Sequence, residues 1–451
     1  VLSVPRIAIA PLYLFACLIL GGSAQGVWQN MALQLVGIAI IAWSVAAQAE
    51  DPLAPPARAL LLLAIAVVAV VALQLVPLSP AIWAHGVRSR IAQEFTLLGR
   101  PAPPLPLSLT PYESLSTLFC LIPPLAIFCA ISRLKAYRPS WLAFALLAGT
   151  VAGVLLGTLQ VSSGGQESPW YLYPETNLGL AVGFFANANH MASLLVLCLP
   201  FVAALASDRS GTIQRRSALV TILAAILLLL VVGIALNGSL AGYTLAVPVI
   251  AASTLIVLPP GTRLRKLVAI LGALSIVAAI GALASSSIGG TRIGQDATTS
   301  VQSREQILAT TGKAIRDYMP FGSGLGSFIR VYRTYESPDT VSSEYVIHAH
   351  DDYAEIVLEL GIPGIILLIL FLAWWVVAVV TIWRTGRGGA YARAASVASA
   401  AVLIHSLVDF PLRTAAISTC FAMCLALMAE PRVPAPQGAG DLRPTRHVVI
   451  G

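Results

Sequence analysis

Charge is what this chain has least of. Only 10% of its 451 residues are Asp, Glu, Lys or Arg, against about 25% in a soluble globular domain. The shortfall excludes an ordinary water-soluble fold. Cysteine is scarce as well. The six (Cys17, Cys120, Cys129, Cys198, Cys420 and Cys424) all fall inside apolar segments, and no spacing among them suits a zinc site or a disulfide framework. They read as small core residues. No internal repeat is visible. The net charge of +7 does not point to nucleic acid, because the basic residues sit in short loops between apolar runs, where topology accounts for them.

What the chain does have is hydrocarbon: 57% of its residues are hydrophobic. Runs such as ALLLLAIAVVAVVALQLV (59–76), ALVTILAAILLLLVVGIAL (218–236) and GIILLILFLAWWVVAVV (364–380) approach the ~20 residues that cross a bilayer as helix. In lipid the backbone must satisfy its own hydrogen bonds, so runs this long mean helix. Twelve spans are expected, near 7–22, 31–49, 59–77, 113–132, 141–159, 179–206, 217–236, 240–258, 266–284, 355–383, 393–411 and 414–429. The first could pass for a signal peptide. It reads instead as a retained span, because no cleavage site is evident and membrane segments follow at once.

With the N-terminus placed in the cytoplasm, seventeen of the 27 basic residues fall on the inside, and Arg413 is the only one in a short outside loop. Short loops report topology, so both ends are expected to be cytoplasmic. Residues 1–284 then hold spans one to nine and 355–430 hold spans ten to twelve. Residues 285–354 form a large outside loop, and 431–451 a Pro/Gly-rich tail expected to be disordered. A second outside loop, 78–112, is Pro-rich and suits the membrane surface. Within the large loop, SSSIGGTRIG reads as a flexible entry. SVQSREQILATTGKAIRDYM (300–319) has apolar residues at helical spacing, as in a helix lying in the interface, and PFGSGLGSF (320–328) breaks it.

The chemistry concentrates in HAHDDYAEIVLELGIPG (348–364). Asp351 or Asp352 can cap the tenth span, with Asp352 and Glu355 spaced like a capping box. Asp351, Glu355 and Glu359 share one helical face, which must look into a wet cavity or protein interior rather than lipid. Simple capping is the plainer reading of these acids. A His-x-His-Asp-Asp metal site is a further alternative. GFFANANHMASLL places Asn187, Asn189 and His190 at the same outer level, and HSLVDFPLR places His405, Asp409 and Arg413 there. A lone intramembrane His or Asn is often only a partner between helices, but three polar clusters at one depth point to a site between the spans. GSGLG (322–326) follows no strand, so a turn fits it better than a phosphate loop. Arginines of the large loop could clamp a phosphate.

These landmarks resemble the O-antigen ligase and O-antigen polymerase superfamily of bacterial membrane glycosyltransferases. The ligase signature is His, then Asn, Ser or Gln, nine free positions, Gly, two free positions, Gly; His350, Asp351, Gly361 and Gly364 stand at those places, with Asp351 a departure. FFANANHMA and HSLVDFPL are similar to the family's Asn motif and late His motif. Two other departures concern phosphate. Leu180 stands where the family often has Arg, and Ser239-Leu240-Ala241-Gly242 replaces a Ser-Arg-Gly turn.

The resemblance implies an all-α integral membrane protein of about twelve transmembrane helices with a large periplasmic loop, glycosyltransferase C-like, in the bacterial inner membrane. It implies a donor glycan on undecaprenyl pyrophosphate and an acceptor sugar hydroxyl, on another lipid-linked glycan (polymerase) or on lipid A core (ligase), with no cofactor or metal and no nucleic acid. His350 is then the expected base, since an imidazole titrates near neutral pH, with Asp351 or Asp352 orienting it. Arg304 leads the candidates for the leaving pyrophosphate, followed by Arg316, Arg330 and Arg413, while Asn187, Asn189, His190, His348 and Asp409 line the substrate site. The missing arginines lean the expectation towards polymerase. A lipid-linked glycan transporter is the rival of another class; it predicts an inverted repeat and broken midplane helices, which the sequence does not suggest.

Overall fold

The computed structural model describes residues 4–47, 52–207, 212–259, 261–284, 292–338, 341 and 345–430, with backbone only for 4–5, 279–284 and 292–303. Among the described residues the chain is helical, its one β-bridge joining Leu78 and Leu105. The first half holds α1 (Val4–Leu20), α2 (Val27–Ala46), α3 (Pro55–Leu75), the short α4 (Pro80–Trp83) and α5 (Ser89–Leu97), α6 (Pro111–Phe119), α7 (Ile122–Ser132), α8 (Pro139–Ser162) and α9 (Ala188–Ala206). The second holds α10 (Ile213–Asn237), α11 (Leu240–Val257), α12 (Arg263–Ala284), α13 (Arg292–Tyr318), α14 (Phe328–Tyr335), α15 (Asp352–Thr385), α16 (Gly389–His405) and α17 (Ala415–Ala429).

Each of the twelve expected segments falls on helix, although 113–132 is broken into α6 and α7, and α9 and α16 are shorter than 179–206 and 393–411. Eight spans among the described residues are long and apolar enough to cross a membrane, and α1 and α17 are shorter apolar helices. The chain is therefore a multi-pass membrane protein. Their outer faces carry large exposed apolar side chains, such as Trp28, Leu62, Leu228, Ile369 and Val377, as lipid-facing surfaces do. Five of the cysteines are buried or partly buried as expected, but Cys120, at the break between α6 and α7, is exposed.

At the centre stands α9, packed by α8, α10, α11 and α16 and buried along nearly its whole length. It begins later than the expected 179–206. Asn187 caps it, accepting from the Asn189 N–H at 2.8 Å, and the preceding stretch is irregular. That irregular backbone is satisfied by buried amides, as an apolar surround demands. Gln160 of α8 accepts from the Val182 and Gly183 N–H groups and donates to the Gly183 carbonyl, while Asn237 donates to the carbonyls of Ala181 and Ala188.

The feature that positions the site is a break in α15. Gly361 has φ 62° and ψ −145°, which a side chain would strain. The break orphans two carbonyls. Pro363 has no N–H to give Glu359, and the Ile362 N–H turns away to the Pro320 carbonyl at 2.8 Å. The segment 320–324 repairs both: Ser323 and Gly324 donate their N–H groups to Leu358 and Glu359, each at 2.9 Å. Gln74 of α3 adds a bond to the Glu359 carbonyl at 2.9 Å. So GSGLG is a backbone clasp on a broken helix. A Cβ at Gly361 would sit 2.2 Å from the Pro320 carbonyl oxygen. The Pro-rich stretch 78–112 packs into the same clasp, where the buried Arg88 donates to the carbonyls of Leu107 and Gly322.

The helix expected over 300–319 is α13, which begins earlier, at Arg292, and ends before the clasp. The flexible entry falls largely at 285–291 and the tail at 431–451, both outside the described residues.

Candidate active site

The upper ends of α9, α15, α16 and α17 meet around the connection 406–414. Asp409 lies at its heart, fully buried. Asn189 donates its side-chain amide to Asp409 Oδ2. That amide is itself fixed, because its oxygen accepts from the Ser239 hydroxyl at 2.7 Å. Arg304 of α13 reaches in to 3.7 Å from the same carboxylate, and His350 Nδ1 lies 3.5 Å from its other oxygen. His190 and His405 are buried close by, and Ser193 bonds His405 Nδ1 at 2.7 Å. Burial alone would raise the Asp409 carboxyl, but His350, His190 and His405 outweigh it and hold it below the usual carboxylate range.

Phe410 serves as the platform for three imidazoles. Its ring centroid is 4.2 Å from that of His348, 5.0 Å from His350 and 5.1 Å from His190. His350 also sits on unusual backbone, with φ 52°. That left-handed conformation costs an L-residue with a Cβ about 1–2 kcal/mol, and it projects the ring from the loop just before α15.

A second cluster adjoins the first. Arg413 meets Glu355 at 3.1 Å, Asp352 at 3.5 Å and Glu359 at 3.6 Å. Burial alone would lower the guanidinium, but these three carboxylates push it above its ordinary value. Glu355 also bonds His348 Nδ1 at 3.0 Å and takes the Ala349 N–H, and Asp352 accepts from the Ser406 hydroxyl at 2.8 Å.

Residues 223–369 match the family model for O-antigen ligase. The match supports membership of the O-antigen ligase and polymerase superfamily. It runs from within α10 into the apolar part of α15, so it takes in Arg304, His348, His350 and the glycines at 361 and 364, while Asn189, Asp409 and Arg413 lie beyond it. No curated protein is similar enough to the chain to count as a match.

The three polar clusters expected at one level do come together, yet some residues take other places than expected. Asp351 caps α15, accepting from the N–H groups of Tyr353 and Ala354; burial raises its carboxyl, opposed by those two bonds. Asp352 faces Ser406 and Arg413. The carboxylate beside His350 is therefore Asp409, not either of the expected pair, because the cap geometry turns both away. No capping box forms, since Glu355 is drawn to His348 and Arg413. Arg413 is engaged by carboxylates, which removes it as a ready phosphate clamp. Arg330 is away from the imidazoles, 3.8 Å from Glu113, and Arg316 is exposed on α13. Arg304 alone of the four candidates faces Asp409 with its charge partly open to solvent. Asn187 acts as a helix cap.

Among the described residues no three His, Cys, Asp or Glu side chains converge in a way that could hold a metal ion; in the His-x-His-Asp-Asp stretch, Asp351 and Asp352 are occupied as cap and Arg partner. Sequence reasoning missed Phe410, Ser193, Ser239 and Ser406 as site members. The only signal for Phe410 was its place directly after Asp409.

Proposed function

We propose that this chain transfers a glycan from undecaprenyl pyrophosphate to a sugar hydroxyl at the outer face of the bacterial inner membrane, with twelve spans and both ends in the cytoplasm. The observation that carries the reading is the pairing of His350 with buried Asp409 beside Arg304, within and next to the stretch that resembles O-antigen ligases. His350, its Nδ1 side turned to Asp409, uses its other ring nitrogen to take the acceptor proton as the hydroxyl attacks C1 of the donor sugar. The C1–O bond to pyrophosphate breaks, and its electron pair leaves with the phosphate oxygen. Asp409 holds the ring and balances the imidazolium charge. Arg304 meets the leaving pyrophosphate. Base and countercharge both come from side chains, so the transfer runs without a metal.

The family description favours lipid A core as acceptor, the ligase reaction. Leu180 and Leu240, where arginines are expected of that resemblance, favour polymerisation. A null strain separates the two. Loss of the ligase leaves complete lipid-linked polymer and bare core, whereas loss of the polymerase leaves core capped with one repeat unit. His350→Asn in that strain, at normal protein abundance, should reproduce the null phenotype; normal surface polysaccharide would overturn the assigned base. A cysteine at Val341 that labels only from the cytosol would overturn the orientation.

A further inference from the structure

A cavity of about 430 Å³ opens between the start of α6, the end of α13 and α14. It is distinct from the imidazole cluster, and its volume falls in the range of small-molecule sites. Tyr112 and Tyr318 give it aromatic surface; Glu113, Arg330 and Thr334 give it polar groups. Tyr112 is 80% exposed, so its ring is available. The Arg330–Glu113 pair is loose at 3.8 Å, with both side chains more than a third exposed. Such a pair retains donors and acceptors for a third party. Thr110 also lines the cavity.

We propose that this cavity is a glycan subsite that holds sugars distant from the reacting bond. Flat aromatic faces suit the C–H faces of pyranose rings, and a carboxylate beside a guanidinium suits their hydroxyls, one accepting and the other donating. The placement agrees. Tyr318 follows Arg304 by fourteen positions on α13, about 21 Å along the axis at ~1.5 Å per residue, so a glycan of several sugars spans the two. α14 touches both the carboxylate cluster and the cavity: its Phe328 N–H donates to Glu359 at 3.4 Å, while its Val331 and Arg330 line the cavity. The subsite would make the enzyme favour long glycans over short ones.

This inference rests on the glycosyl-transfer reading, and the test separates the two. Purified full-length chain is assayed with lipid-linked donors of one repeat unit and of several. Tyr112→Ala and Glu113→Gln should each raise KM for the longer donor about tenfold, with kcat kept, and leave single-unit kinetics unchanged. Equal effects on both donors, or none on either, overturn the subsite. If the wild type transfers nothing, the glycosyl-transfer reading falls, and binding decides the subsite alone. Saturation-transfer NMR with polysaccharide released by mild acid from the host's lipopolysaccharide should then show contact that Tyr112→Ala abolishes. No contact with wild-type protein, or equal contact with the variant, overturns it.

Discussion

Asp409 and Arg413 stand four residues apart and have opposite surroundings. Asp409 is one anion among donors and cations: Asn189, Arg304, His350 and the buried His190 and His405. Arg413 is one cation among three carboxylates. The difference separates chemistry from architecture. Around Arg413 every charge is met by protein, and the cluster ties α15 to the connection 406–414. At Asp409, His350 at 3.5 Å and Arg304 at 3.7 Å each meet a single carboxylate and are partly open to solvent. A substrate can recruit those two, whereas it would have to break three ion pairs to recruit Arg413.

The sharpest way to break the contrast is His350→Asn. Asparagine tolerates the left-handed backbone, so the fold should stand while transfer falls about a thousandfold, measured as kcat in detergent. Arg413→Met should do the reverse. It strands three buried carboxylates at about 3–5 kcal/mol, read as a large drop in unfolding temperature, and adding Glu359→Gln should recover part of the loss. Gly361→Ala places a Cβ 2.2 Å from the Pro320 carbonyl oxygen at positive φ. It should cost about 2–3 kcal/mol of stability by the same measurement. Asp409→Asn sharpens the comparison through pH. The native carboxyl is depressed, so its contribution to stability is complete above about pH 4 and fades as pH falls towards the depressed value. Unfolding temperatures of the wild type should drop through that acid range, and the variant should lack that component. Ser239→Ala should have the smallest effect, about 1–2 kcal/mol for the bond to Asn189 together with the cap it gives the Gly242 N–H at the start of α11, with a modest fall in kcat as Asn189 loosens.

The spans were legible because each is a local property: a run of apolar residues must satisfy its own backbone. The acids at 351, 355 and 359 were legible for the same reason, as a helical face that cannot look at lipid. What the face looks at was not legible, since Arg413 and His348 reach it from other segments. The partner of His350 was assigned to its chain neighbours Asp351 and Asp352, yet the cap at α15 turns both away and the fold brings Asp409 from the far side of two helices. GSGLG was understood as a turn, but its role depends on carbonyls orphaned by the break at Gly361 and Pro363 thirty-odd residues on. Phe410 carried no signal of its own; an aromatic residue beside a span is ordinary, and only the three rings gathered on it give it meaning.

One consequence follows from the backbone at position 350. The backbone alone would favour glycine there, since glycine adopts that twist freely and imidazole does not. A variant His350→Gly sheds that strain but also gives up the ring's contacts with Phe410 and Asp409 and frees the unfolded chain, so its unfolding temperature should stay near that of its parent while transfer is lost.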